Sequence, residues 1–258
     1  MKIFIHEFFL FGLKQAWACL FGGLLVALII LTSLVDWSHW NLSQYDVLFV
    51  SAVIIQIALM VFRLETPNET KIIILFHLVA TGMEIFKTSD GIASWQYPGE
   101  GFFFIGNYPL FAGFMYSAVG SYLARVWRLF DFQFSYYPPM WATIVVSGLI
   151  YLNFFTHHYL YDIRYILLGV VIYLFYRSWI YYQIDKVHRR MPLLLGFFLV
   201  SIFIWIAENI GTFMNVWLYP HQADGWVWVG PDKILAWFLL MIISFVMVSW
   251  LRKPAIKK

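Results

Sequence analysis

Residues 234–250 read ILAWFLLMIISFVMVSW, an uncharged apolar run bounded by Asp232-Lys233 on one side and Arg252-Lys253 on the other. A helix that crosses a bilayer needs about 20 mostly apolar residues. Counted out to its flanking charges, this run has that length. Working outward, seven more stretches read the same way: 8–31, 45–62, 72–86, 102–122, 140–155, 165–182 and 191–210. The segment 72–86 is the shortest and carries His77 and Glu84. Together they predict an all-α polytopic membrane protein with about eight transmembrane helices.

Composition agrees. Hydrophobic residues make up 62% of the 258 and charged residues 12%, against about 45–50% and roughly 25% in soluble domains. A globule of this composition has too few polar groups to cover itself, whereas lipid is a good solvent for an apolar exterior. The polar connections are short, so 1–258 is expected to be a single transmembrane domain. The first run is too long for a signal-peptide core and no A-x-A-like cleavage site follows it, so it reads as a retained span. A lone cysteine, Cys19, lies inside that run; it excludes an intramolecular disulfide and CxxC metal sites.

The basic residues fix an orientation. The net charge is +3, but the charges are scattered among the loops, so no nucleic-acid partner is expected. If the loops are numbered alternately, one set holds fourteen of the 17 lysines and arginines, and the other only Lys87, Arg164 and Lys233. The positive-inside bias puts the first set, and with it both termini, in the cytoplasm.

The two halves resemble each other. Tyr45-Asp46 opens the second span and Tyr161-Asp162 the sixth. The third span ends with Glu84, followed by Trp95-Gln96-Tyr97-Pro98; the seventh ends with Glu208, followed by Trp217-Leu218-Tyr219-Pro220. A proline-led span then follows in each, after Pro109 and Pro231. This ordered series predicts two internal repeats, approximately 1–130 and 136–254, with Tyr136-Tyr137-Pro138-Pro139 as the seam. Each repeat would hold four helices. An even number leaves both with the same orientation, so the repeats are parallel.

Ionisable groups at membrane depth are costly and mark function. Glu84 and Glu208 occupy matching repeat positions, so a pseudo-twofold axis would bring them to one cleft. A carboxyl in an apolar pocket resists ionisation, so it can hold a proton near neutral pH and donate it. His77 shares a helix face with Glu84, two turns away. His157 and His158 close the fifth span, after Asn153, and Asn209 follows Glu208. These six, Glu84, Glu208, His77, His157, His158 and Asn209, are the candidate catalytic groups. Trp95, Tyr97, Tyr116, Asn153, Trp217 and Tyr219 are the candidate substrate contacts. The alternative for the glutamates is that they tie helices together, and for the aromatics that they form an interfacial belt. Gly113, Ser117 and Gly120 form a small-residue face suited to close helix packing. Adjacent histidines diverge by about 100° on a helix, and HExxH is absent, so no metal site is assigned. Asp162 and Asp232 read as acidic groups at helix starts.

The runs FHLVATGMEIFK (76–87), GFMYSAVGSY (113–122), YLNFFTHH (151–158) and WIAENIGTF (205–213) resemble the YoaT-like bacterial integral membrane proteins. That resemblance implies an inner-membrane protein of about this length and no established activity. The repeated Glu, W-x-Y loop and Pro-led span are similar, in spacing and residue type, to membrane-bound lycopene cyclase domains and carotenoid hydratases. That likeness implies protonation of a polyene without redox change. The P-x-E-E element of the cyclases is not present: Pro109 is followed by Leu110-Phe111-Ala112 and Pro231 by Asp232-Lys233.

Three functions follow as expectations. The first is an intramembrane enzyme using paired glutamates on a lipid or isoprenoid, a hydrophobic small molecule met in the lipid bilayer. The second is a proton-coupled or small-molecule transporter. The third is a non-catalytic membrane scaffold. The sequence names no cofactor and no oligomeric state.

Overall fold

The computed structural model describes residues 2–257. Of the basic residues counted above, Lys258 lies outside the described residues, as does the side chain of Lys2. The chain is mostly helical. In order it forms α1 (Lys2–Ala18), α2 (Leu20–Ser33), α3 (Gln44–Val61) and α4 (Pro67–Lys87). The short strands β1 (Phe104–Ile105) and β2 (Tyr108–Pro109) lead into α5 (Phe111–Leu129). Then come β3 (Gln133–Phe134), α6 (Met140–Thr156), α7 (Arg164–Phe175), β4 (Trp179–Gln183) and β5 (His188–Pro192). The chain closes with α8 (Leu193–Phe213) and α9 (Lys233–Arg252).

By length and composition, α3, α8 and α9 can each cross a membrane, and the α1–α2 pair would be a fourth crossing if taken as one. Helices α6 and α7 are apolar but shorter, and α4 and α5 carry more charge. The outer faces are apolar. On α6, Trp141, Val145, Leu149 and Leu152 are exposed at three- and four-residue steps. On α8, Leu199, Phe203 and Ile206 do the same.

Local chemistry sets the boundaries. Helix α4 begins with a reciprocal cap, in which Thr66 accepts from the Glu69 amide and Glu69 from the Thr66 amide, and Pro67 follows at the first helical position. The run 8–31 is not one helix. It breaks between Ala18 and Leu20 with a 69° bend. The Arg125 guanidinium donates to the Trp17 carbonyl at 3.1 Å and the Tyr122 hydroxyl to Gln15 at 3.0 Å. A side chain inserted at a carbonyl that the ladder releases is a recognised cause of a kink.

The stretch 165–182 also divides. Its helix stops at Phe175, and Trp179-Ile180-Tyr181-Tyr182 pairs as a strand with β5. These are strong strand formers, and Ile180 is buried. With β3 they complete a three-stranded antiparallel sheet, which also takes up the C-terminal segment through the Phe134 amide and the Ala255 carbonyl.

The sheet gathers one end of the bundle. Lys14 donates there to the carbonyls of Leu129 and Gln183, and Arg189 pairs with Glu7. The connections that follow α2, α4, α6 and α8 meet at the opposite end. There Ser33 donates to the Met214 carbonyl, Tyr45 to the Val216 carbonyl, and Lys87 meets His158. Helices α2 to α9 therefore run alternately between two ends. The most extensive helix pairs are α4 with α5 and α8 with α9, while α5 meets α9 between them. Helix α2 packs on α8, and α6 packs on α4.

The small-residue face of α5 does what its spacing predicts. A Cβ on Gly113 would sit 2.4 Å from the His77 ring, and one on Gly120 2.9 Å from Phe76. Ser117 donates to the Ile73 carbonyl across the same seam. Side-chain-free positions let α4 and α5 approach closely.

Candidate functional site: two caged carboxyls

Glu84 stands on the last turn of α4, 1% exposed, and Glu208 on α8, 3% exposed. Among the described residues neither carboxyl is in an ion pair. Each is held by neutral donors instead. Glu84 Oε2 accepts from Trp95 Nε1 and from the Tyr97 hydroxyl, both at 3.0 Å, and Oε1 accepts from the Tyr116 hydroxyl at 2.8 Å. Glu208 Oε1 accepts from the Tyr219 hydroxyl at 2.5 Å and Oε2 from Trp237 Nε1 at 2.7 Å.

The cages touch. The two W-x-Y-P segments pair through their middle residues, the Gln96 amide donating to the Leu218 carbonyl and the Leu218 amide to the Gln96 carbonyl, both at 2.9 Å. Trp95, which holds Glu84, meets Tyr219, which holds Glu208, edge to face at 6.3 Å between centroids. Tyr116, which holds Glu84, and Trp237, which holds Glu208, also meet at 6.3 Å, with their rings tilted by 39°. The two buried cages thus adjoin through their aromatic donors.

Tyrosine hydroxyls can reverse their role and tryptophan nitrogens cannot. When Glu84 or Glu208 is ionised, every donor is satisfied. When one is protonated, a tyrosine can turn to accept the carboxyl proton. Burial, and then the charge of the adjacent glutamate, push the Tyr97 and Tyr219 phenols well above their ordinary range. Both therefore remain protonated donors at neutral pH.

The loops are anchored from outside the cages. Asp46 accepts from the amides of Phe102 and Phe103 at 2.9 and 3.0 Å. A Cβ on Gly211 would fall 2.0 Å from the Trp217 ring, so only glycine admits that indole. Beside Tyr116 lies a cavity of about 30 Å³ lined by Phe76, Met83, Tyr151 and Leu240 among others. That is room for one water-sized occupant. A wider open hollow of about 770 Å³ lies between the 37–46 and 98–102 segments.

Of the residues expected to act together, Glu84, Glu208, Trp95, Tyr97, Tyr116 and Tyr219 converge. The others make no hydrogen bond to Glu84 or Glu208 among the described residues. His77 packs on Phe114 at 4.8 Å between centroids. Asn209 accepts from the Val229 amide and donates to the Trp205 carbonyl, holding the 226–229 segment. Asn153 ties the α6–α7 turn to Asp162 and Ile163. Trp217 packs on Gly211. His157 and His158 meet Lys87. Burial, and then the Lys87 charge, push the His158 imidazole down to about 4. Among the described residues no group of three or more His, Cys, Asp or Glu side chains is arranged to hold a metal ion.

Trp237 carries no signal of this role in the sequence, because it lies within an apolar run. A second buried network is silent in the sequence for a related reason. Arg125, 0% exposed, pairs with Glu65 at 3.1 Å, and Ser121 and Gln56 also donate to Glu65. These charges stand at helix ends, where sequence reads them as loop charges. Glu69 similarly receives both Arg128 and Arg252.

This architecture, an apolar helical bundle around two caged carboxyls, defines a class of helical protein with membrane-type composition. The chain belongs to the family described as "Protein of unknown function (DUF817)", which it matches over residues 7–245. It is 42% identical over 243 residues to the uncharacterized protein YoaT of Bacillus subtilis (strain 168), covering 94% of this chain and 90% of that one. No solved structure matches it.

Proposed function

We propose that this chain is a multi-pass protein of the bacterial inner membrane, with about eight crossings, both termini cytoplasmic and two parallel four-helix repeats. In this reading Glu84 and Glu208 perform acid–base chemistry on a lipid or isoprenoid-like substrate. The orientation is supported by the distribution of basic residues and by the alternation of helices between two ends. The repeat is supported by the matched cages, by the antiparallel pairing of Gln96 with Leu218, and by the reciprocal packing of α2 on α8 and α6 on α4. It is not uniform: Tyr45 is buried and bonded, whereas Tyr161 is exposed.

The observation that carries the chemistry is the pair of buried carboxyls held only by neutral donors. One carboxyl in its acid form would give its proton to a double bond of the substrate. The other, as carboxylate, would remove a proton from the resulting cation, so no electron is gained or lost. The faces of Trp95, Tyr116 and Trp237 would stabilise that cation. His77, His157, His158 and Asn209 would support the loops and helices rather than touch the substrate. A lipid does not fit beside the carboxyls as they are packed, so the paired W-x-Y-P loops would have to part.

Proton-coupled transport is the second reading. The same tight packing favours it, since a proton needs far less room than a lipid and the cavity beside Tyr116 is only water-sized. Lipid and isoprenoid extracts from cells with and without the gene separate the two. A changed extract supports the enzyme; an unchanged extract with altered solute uptake supports transport.

A further inference from the structure

Two of the loops that close the end opposite the sheet carry acids and lack strong bases. Residues 34–46 and 88–102 hold Asp36, Asp46, Asp90 and Glu100, and neither lysine nor arginine. The hollow of about 770 Å³ opens between these two segments. That volume is typical of a small-molecule site. Its lining includes Asp46 and Glu100 and, among the described residues, no lysine, arginine or histidine. Among the described residues neither carboxyl is in an ion pair. Asp46 is 6% exposed, whereas Glu100 is open to solvent.

Both walls are held in place. On one side the Trp37 indole donates to the Thr32 carbonyl at 2.8 Å, and Gln44 to the hydroxyls of Thr32 and Ser33 at 3.2 and 2.8 Å. On the other, a Cβ on Gly99 would fall 2.6 Å from the Tyr45 ring. One on Gly101 would fall 2.6 Å from Ser43 Oγ and 2.8 Å from Asp46 Oδ1. Glycine at both positions lets the 98–102 segment lie directly on the start of α3, where Asp46 clasps it through the amides of Phe102 and Phe103. A hollow held on both sides needs little ordering when a ligand arrives. Trp40 and Phe102 also line it and remain 63% and 85% exposed.

The carboxyls call for a cation, and the aromatic rings select its kind. Indole and phenyl faces attract organic ammonium groups through the negative face of the ring. A hard metal ion instead needs about six or more converging oxygens, and among the described residues no cluster of acidic side chains is arranged to supply them. We infer that the hollow between residues 37–46 and 98–102 binds an organic ammonium group. Asp46 and Glu100 meet its charge, and Trp40 and Phe102 meet its carbon substituents. The source is either a free amine or the ammonium headgroup of a lipid. The site stands whether or not Glu84 and Glu208 are catalytic.

The test is thermal unfolding of the full chain in neutral detergent at constant ionic strength. One arm replaces sodium chloride with tetramethylammonium or ethanolamine chloride, and a control replaces it with calcium chloride. A second arm adds phosphatidylethanolamine or phosphatidylglycerol to the micelles. A saturable rise in midpoint with either organic cation supports the site and names a free ligand. A saturable rise with phosphatidylethanolamine and not with phosphatidylglycerol supports it and names a headgroup. The double variant Trp40→Ala with Glu100→Gln should weaken the response about ten-fold. Both side chains are exposed, so folding should survive. Should that variant not fold, Asp46→Asn decides: its amide oxygen still accepts from both loop amides, and the loss of charge alone should weaken the response. A rise with calcium and none with the ammonium probes, an equal rise with the two lipids alone, no saturable response, or an undiminished response in the deciding variant overturns the site.

Discussion

Glu84 and Glu208 were legible in the sequence because a carboxyl deep in an apolar run has few structural reasons to be there. Tyr97 and Tyr219 were legible only through the matching W-x-Y-P segments. Trp237 was hidden because indole counts as apolar and shows its N–H only when a partner is in view. The buried Arg125–Glu65 pair was hidden because helix-end charges normally face water. The cages make a prediction at this scale. Tyr219→Phe removes one donor from Glu208 but leaves Trp237, so it should cost about 1 kcal/mol of stability. Reversible unfolding of the variant in mixed micelles measures this. A loss indistinguishable from zero would mean that the Tyr219–Glu208 contact does not hold the loop.

Among the elements, helix existence was well read and helix ends were not. Periodicity and apolar runs fixed where helices lie, but the elbow at Cys19 depends on Arg125, more than a hundred residues away in sequence. No local signal carries such a contact. The expected span 165–182 runs on through the strand at Trp179–Gln183, because a hydropathy scan scores its residues with the helix before it and only their strand preference distinguishes them. The pairing of the two W-x-Y-P loops is the element-scale feature that joins the carboxyl cages. Residues exchanging both backbone bonds in an antiparallel pair have Cα atoms about 5.5 Å apart, within disulfide reach. In a Cys19→Ser background, Gln96→Cys with Leu218→Cys should therefore form a disulfide under mild oxidation, seen as a reduction-sensitive gel shift. Free thiols in both positions after oxidation would show that the loops are not paired.

For the whole molecule, the bundle alternates between an end closed by the β3–β4–β5 sheet and an end closed by the paired loops. The basic residues of the sequence separate between the same two ends, which supports the proposed orientation. Ala223, exposed in the loop between α8 and α9, tests it. In the same cysteine-free background, Ala223→Cys should react with an impermeant thiol reagent in intact spheroplasts; labelling only after lysis would invert the topology. The proposed acid–base role of the carboxyls is tested most directly by complementation. In cells lacking the gene, the wild-type chain should restore the normal lipid and isoprenoid profile. Glu84→Gln and Glu208→Gln should each reach the membrane at wild-type levels and fail to restore it. Full restoration by either glutamine variant would contradict the role assigned to the pair.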